Sequence, residues 1–460
     1  MTIDHTGLTV TAASQEAVDA FDRTVIAYLR FGNDIGDLLK ATYEQDGEMV
    51  MANVLRGYFM HMMGMRVLVP KAQQSLSAAQ RKSATVTPRE QLHIKALEAW
   101  CHLDMAGATA AWEQSIEDNP MDVLAVKMLH YTHFYMGDPA NLRDSVGRVW
   151  HAWEGREDLV SYGYLLSMRA FGLEETGDYA CAESLGRTAV NLNESDAWAV
   201  HTVAHVCEME ERRVDGLDWL DAKANYNNWN NFRYHLAWHK ALTLFETERF
   251  DEALALYDEG IFDPKSDEYL DLTNDISLLA RLELADVDVG DRWIALGEKA
   301  KGRTDDKLLA FVDAHLMLAI AESDAEAAGN YANSINTYAV ENDDTYAHVA
   351  KVVGHDLCMA LAAYKAKDFD SCIGLLEPVR YNVSAIGGSN AQRDLFVQIL
   401  IDSSVRAGRW KLARTLLSER TAQKPKNVRA WRQLSMVLKA LGDDSAAQMA
   451  AMRGDVRTEI

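Results

Sequence analysis

Proline is scarce, with 7 in 460 residues, and no stretch is rich in Ser, Pro or Gly, so nothing in the chain reads as a linker between domains. One continuous unit spanning 1–460 is the expectation. Cysteine is scarce too. The five present (Cys101, Cys181, Cys207, Cys358 and Cys372) are odd in number, widely spaced and lack a C-x-x-C pair. That excludes a disulfide framework and a cysteine-built zinc site, leaving small buried hydrophobes in a reducing compartment. Positive charge is short as well: 46 Lys and Arg face 69 Asp and Glu, for a net charge of −23. Such a surface repels phosphate backbones and anionic lipid, so neither nucleic acid nor a membrane is expected as a partner. No run of about 18 apolar residues occurs, and Met1-Thr-Ile-Asp-His-Thr has neither the basic start nor the apolar core of a signal peptide. The expected location is the cytoplasm. Also missing are a P-loop, a Rossmann fingerprint, a G-x-S-x-G elbow and an EF-hand loop. No cofactor is therefore called for by motif.

What is present is helical periodicity with almost no β-alternation. Turn glycines at Gly408 and Gly442, in Val405-Arg-Ala-Gly-Arg-Trp and Leu438-Lys-Ala-Leu-Gly-Asp, lie 34 residues apart with Pro425 between them. That is the period of the tetratricopeptide helix–turn–helix. Equivalent turns fall near Lys367, Ser323, Asp286, Glu248, Arg212, Gly177, Gly137, Asp104 and Gly64, at spacings of 33 to 44 residues. The pattern predicts an all-α, right-handed solenoid of about eleven tetratricopeptide-like helix pairs, long enough to close into a superhelix around an interior. Within it, 1–84 read as an N-terminal cap and first units, 85–404 as central repeats and 405–460 as the C-terminal units. Trp100, Trp198, Trp238 and Trp431 occupy core positions of first helices, and Met60-His-Met-Met-Gly-Met reads as adaptable packing. Residues 405–460 carry twelve Lys and Arg against five Asp and Glu. This basic end is either a solvated face or a dock for the acidic body of a second copy, the one sign of homo-oligomerisation.

Histidines recur on first helices: His130 and His133, His201 and His205, His235 and His239, then His315 and His355. An i,i+4 pair shares one helix face, so the pairs at 201/205 and 235/239 could converge if neighbouring repeats stack. Glu208 lies three residues beyond His205, and Tyr234 immediately precedes His235. Two readings stay open. Each imidazole could be a satisfied core residue, or the set could be a site. If it is a site, His201, His205, Glu208, His235 and His239 are the candidate catalytic groups, by acid–base chemistry or around a divalent metal. The pattern is not H-E-x-x-H, because Thr202 follows His201. Register decides. A turn at Arg212 puts His201 and His205 in the packing rows; a turn one residue earlier, at Glu211, turns them with Glu208 toward the interior. A second polar segment, Ile386-Gly-Gly-Ser-Asn-Ala-Gln-Arg-Asp, offers a capped helix start with free N–H groups and an arginine one turn in. Ser389, Asn390, Arg393 and Asp394, with His315 and Tyr234, are the candidate ligand-binding residues, and a capped helix with an Arg–Asp bridge to the adjacent repeat is the plainer reading.

These segments, with Leu254-Ala-Leu-Tyr-Asp, Asp288-Val-Gly-Asp-Arg-Trp and Phe311-Val-Asp-Ala-His, make the chain resemble the tetratricopeptide repeat protein 38 family over most of its length. The resemblance implies an all-α superhelix and little chemistry. Function is then expected to be binding of a small molecule or short peptide in a histidine-lined interior, with hydrolase or lyase activity as its catalytic form. The competing expectation is a non-enzymatic scaffold gripping a partner protein.

Overall fold

The computed structural model describes residues 2–223 and 228–455. Among them helix follows helix from Gln15 to Gly454, and the only extended pairings are the isolated bridges Ile3–Thr9 and Gly32–Trp229. The helices fall into twelve consecutive pairs, such as Tyr162–Glu175 with Tyr179–Leu192 and Ala197–Met209 with Arg213–Ala222. The pair absent from the sequence reading is the first, Gln15–Leu29 with Ile35–Gln45, which reverses at Phe31.

The joints explain why the chain breaks where it does. One residue takes left-handed backbone: glycine at Gly137, Gly177, Gly408 and Gly442, but Leu103, Glu211, Glu248, Asp286 and Lys367 elsewhere. The next amide then donates five residues back, as Asp138 does to His133, Asp178 to Leu173, Arg212 to Cys207 and Arg409 to Ser404. This closes the helix in a Schellman motif. The donating residue often caps the following helix with its own side chain, as Asp104, Asp138, Asp178, Asp368 and Asp443 do. Two turns therefore sit one residue earlier than the sequence suggested, at Leu103 and Glu211 rather than Asp104 and Arg212. Near Ser323 no left-handed residue is used; Asp324, in extended backbone, ends one helix and caps the next.

The array closes on itself. The Tyr269 hydroxyl donates to that of Tyr135 at 2.7 Å, and the Trp100 indole donates to Tyr346 at 3.2 Å. Arg303 reaches the Gly64 carbonyl at 3.1 Å. Gly137 passes so near Ser384 that a Cβ there would lie 1.8 Å from the Ser384 carbonyl oxygen. One apolar cluster runs from Val10 to Ala450. Four cysteines are buried in it or beside it, Cys181 is exposed, and all five are free. The basic end finds acidic partners in its own chain: Arg406 with Asp286, Arg420 with Asp394, and Arg432 with Glu248. Part of its charge is thus used in cis. No helix of the described residues is long and apolar enough to cross a membrane.

Candidate functional site: a histidine tetrad beside an aromatic cavity

The turn after the helix Ala197–Met209 is at Glu211, and its histidines pack against the first helices of adjacent pairs, with His201 also reaching the cavity described below. His201 and His205 meet His235 and His239 of the helix Phe232–Glu246. Five of the ring pairs have centroids 4.3 to 4.9 Å apart, and all four rings are buried. His201 Nε2 and His235 Nε2 are 3.1 Å apart. One nitrogen of each of three rings faces a polar neighbour. His239 Nδ1 lies 3.1 Å from Glu208 Oε2, His235 Nδ1 lies 2.9 Å from Asn274 Oδ1, and His205 Nδ1 stands 3.4 Å from Glu174 Oε2.

Burial holds His201, His235 and His239 well below the usual imidazole value, and the neighbouring imidazoles add to this for all three. His205 is lowered by burial against the opposing pull of Glu175 and Glu208. Burial pushes Glu174 up to about 8 and Glu175 up to about 7. The tetrad is thus four neutral imidazoles with buried carboxyl groups behind them. Such a set can hold a cation or pass a proton.

Beside the tetrad lies a cavity of about 330 Å³, within the range of small-molecule sites. Tyr28, Phe31, Phe59, Phe134, Trp198 and Phe232 give it an aromatic wall, and His201 and His235 form part of its lining. The residue that sequence reasoning missed is Lys127. It sits in the buried helix Val123–Tyr135 with its ammonium 4.6 Å from the Phe31 ring centroid, 5.2 Å from Trp198 and 5.6 Å from Tyr28. It makes no hydrogen bond or ion pair among the described residues, and burial pulls it down to about 8 despite the distant charge of Asp196. A lone lysine in the apolar run Val-Leu-Ala-Val-Lys-Met-Leu was the available signal. His130, also in the wall, accepts from the Trp198 indole at 3.0 Å, which fixes that indole edge. Met62 and Met63, read from sequence as packing, line the cavity as well, and so does Trp198, read as core.

The remaining candidates are placed elsewhere. The Tyr234 hydroxyl donates to Asp263 at 3.1 Å and accepts from Arg233, away from the tetrad. His315 sits 2.7 Å from the Phe311 carbonyl through Nδ1 and packs on the rings of Phe311 and Phe396. Ser389 caps the helix Asn390–Arg406 in a reciprocal box with Gln392, and Gln392 in turn lines the cavity. The helix start does receive an anion, but an internal one. The Asn390 N–H donates to the Glu175 carboxylate at 3.1 Å, and Arg393 lies 3.7 Å from the same group. Asp394 is taken by Arg420 at 2.6 Å. The polar segment therefore braces the wall behind the tetrad, joining Glu175 to the opposite side of the closed array. Gly388, at φ +79°, lets that segment pass the Phe311 ring, where a Cβ would come within 2.7 Å.

No family model matches the chain. Among solved structures it is similar to a human IFIT1 dimer with PPP-AAAA, at 12% identity and a TM-score of 0.42, covering 97% of this chain and 95% of that one. It is also similar to yeast Tom70, at 13% identity and a TM-score of 0.37, covering 96% and 89%. Likenesses this distant say nothing of what the chain binds.

Proposed function

We propose that the protein binds a small, flat, mainly apolar molecule carrying one anionic group, seated in the aromatic cavity with its anion on Lys127 and its far end toward His201 and His235. The observation that carries this is the Lys127 ammonium, buried among three rings without a hydrogen-bonding partner among the described residues. An uncompensated buried charge is costly, and an anion in the adjoining space would compensate it. The aromatic wall suits a ring system that stacks. A small molecule is favoured over a gripped peptide because contacts such as Tyr135–Tyr269 and Gly137–Ser384 cross the interior that an open array would offer a polypeptide. The net charge of −23 supports the same choice against nucleic acid. Acid–base or metal-assisted turnover at the tetrad, of the hydrolase or lyase type, is the catalytic form of this reading. We further propose that the chain is a divergent array of the tetratricopeptide repeat protein 38 type, on the histidine-bearing segments that carry that resemblance.

The test is fluorescence titration with anilinonaphthalene sulfonate, a flat apolar anion, against an aryl ammonium probe of similar size. A single saturable site for the anion, weakened at least tenfold in Lys127→Met, is expected. Equal binding by that variant, or preference for the cation, would overturn the proposal.

A further inference from the structure

The nitrogen atoms of the tetrad are arranged in a way that imidazoles packed for stability alone do not need. Glu208 Oε2 lies 3.1 Å from His239 Nδ1, where it can accept from an N–H, which would leave the Nε2 lone pair of that ring facing inward. That Nε2 has no partner. Asn274 Oδ1 does the same for His235, whose Nε2 then points at His201 Nε2 from 3.1 Å. Neither nitrogen of His205 and neither oxygen of Glu174 is hydrogen-bonded, although the two groups stand 3.4 Å apart. His201 Nδ1, Asn274 Nδ2 and the Trp238 indole N–H are unpartnered as well. Eight of the nineteen buried polar side-chain atoms without a partner among the described residues lie in this one cluster. Each would cost about 1–3 kcal/mol if left so. Chance packing does not concentrate such costs.

A cation at the centre removes the conflict. One ligand atom from each of the four rings lies within 4.8 Å of the others, and small rotations of the rings would bring them within the roughly 4.2 Å that ligands sharing an ion at the usual metal–nitrogen length of about 2.0–2.1 Å require. The outer partners match as well: a metal-ligating histidine typically turns its second nitrogen to a carboxylate or carbonyl oxygen, as His239 and His235 do here. We propose that His201, His205, His235 and His239 hold one divalent first-row transition-metal ion. Glu208 and Asn274 orient the ligands, and Glu174 supplies a carboxylate beside His205. An all-imidazole set selects iron, cobalt, nickel, copper or zinc over magnesium and calcium, which prefer oxygen. Because His201 and His235 also line the cavity, the ion would stand next to whatever the cavity binds. The inference rests on the tetrad alone and does not require the cavity reading.

The experiment uses the full chain. Elemental analysis of purified protein is followed by chelator treatment and titration of the metal-free protein with Co(II), read by visible absorption and by thermal melting. Expected are near one equivalent of metal, ligand-field bands that saturate at one Co(II), and a higher melting temperature with the ion. Glu208→Gln should bind about 10- to 100-fold more weakly, the double variant His201→Ala/His239→Ala should lose the bands, and His151→Ala, at an exposed histidine, should retain them. If the double variant does not fold by circular dichroism, Glu208→Gln decides. A wild-type chain without a saturable Co(II) site, or a folded double variant or Glu208→Gln protein binding as tightly as wild type, overturns the proposal. Lys127→Met should keep its metal while losing the anionic fluorophore, so failure of one reading is separable from failure of the other.

Discussion

Lys127→Met should make the protein more stable. The side chains are similar in length, so the core is neither overfilled nor emptied. Holding the ammonium at about 8 instead of the usual 10.5 costs the folded state about 3 kcal/mol at neutral pH. The three ring contacts return part of this, about 0.5–1 kcal/mol each at most, leaving a net gain of about 1–2 kcal/mol on substitution. For a chain of 460 residues melting as one unit, an unfolding entropy of about 2 cal/mol/K per residue turns that into only 1–2 °C. Urea denaturation followed over pH is therefore the better assay. The sign is definite. Below pH 8 the lysine is charged in both states and the folded state bears the burial penalty. As pH rises from 8 toward 10.5 the folded state has released its proton while the unfolded chain keeps it, so the wild type gains stability. The gap between variant and wild type should be widest below pH 8 and close by about pH 10.5. A variant less stable than wild type at pH 7, or a gap that does not narrow with rising pH, would refute the reasoning, since Lys127 would then be a structural group. A residue that weakens the fold yet faces a cavity is better explained by what it binds.

Two further outcomes test the frame around the site. Burial alone would raise the Asp122 carboxyl, but His93 at 2.9 Å, Arg89 at 3.5 Å and the Ser115 hydroxyl at 2.7 Å hold it well below the usual range. Its contribution is complete above about pH 4 and is lost as pH falls toward its folded-state value, so Asp122→Asn should cost about 3 kcal/mol at pH 7 and progressively less in acid. Equal losses at pH 7 and in strong acid in urea melts would count against this. Lys367 is exposed and held at φ 61° in a hairpin joint. Lys367→Gly should add about 0.5–1 kcal/mol by relieving left-handed strain, measured by the same melts, and a loss would show that strain is not what that joint carries.

How far the sequence could be read follows from which residues carry unambiguous backbone signals. Gly137, Gly177, Gly408 and Gly442 mark their turns because glycine is the residue that takes positive φ without strain. Where Leu103, Glu211 and Phe31 do the same work, composition is silent; two joints were misplaced by one residue and the first helix pair was missed. That single residue matters most at Glu211, because the sequence reading made the facing of His201 and His205 depend on it, whereas in the structure they pack on a neighbouring repeat and His201 reaches the cavity as well. The histidine pairs were legible from i,i+4 spacing alone, and Glu208 with them. Their convergence was not, since it depends on the rotation of the helix Ala197–Met209 against Phe232–Glu246. The cap at Ser389 was legible in the sequence, but the carboxyl that Asn390 and Arg393 meet, Glu175, lies some 215 residues earlier in the chain and was not. Lys127 is the converse case: its helix has no amphipathic pattern, so nothing in the periodicity separates a lysine facing a cavity from one reaching solvent. Both gaps have one cause. Closure brings together first helices from distant repeats, so the groups that meet in the interior are fixed by the sum of many joint angles rather than by any local pattern. Polarity retained at such a meeting point, where apolar packing would be cheaper, is what singles out the tetrad and Lys127.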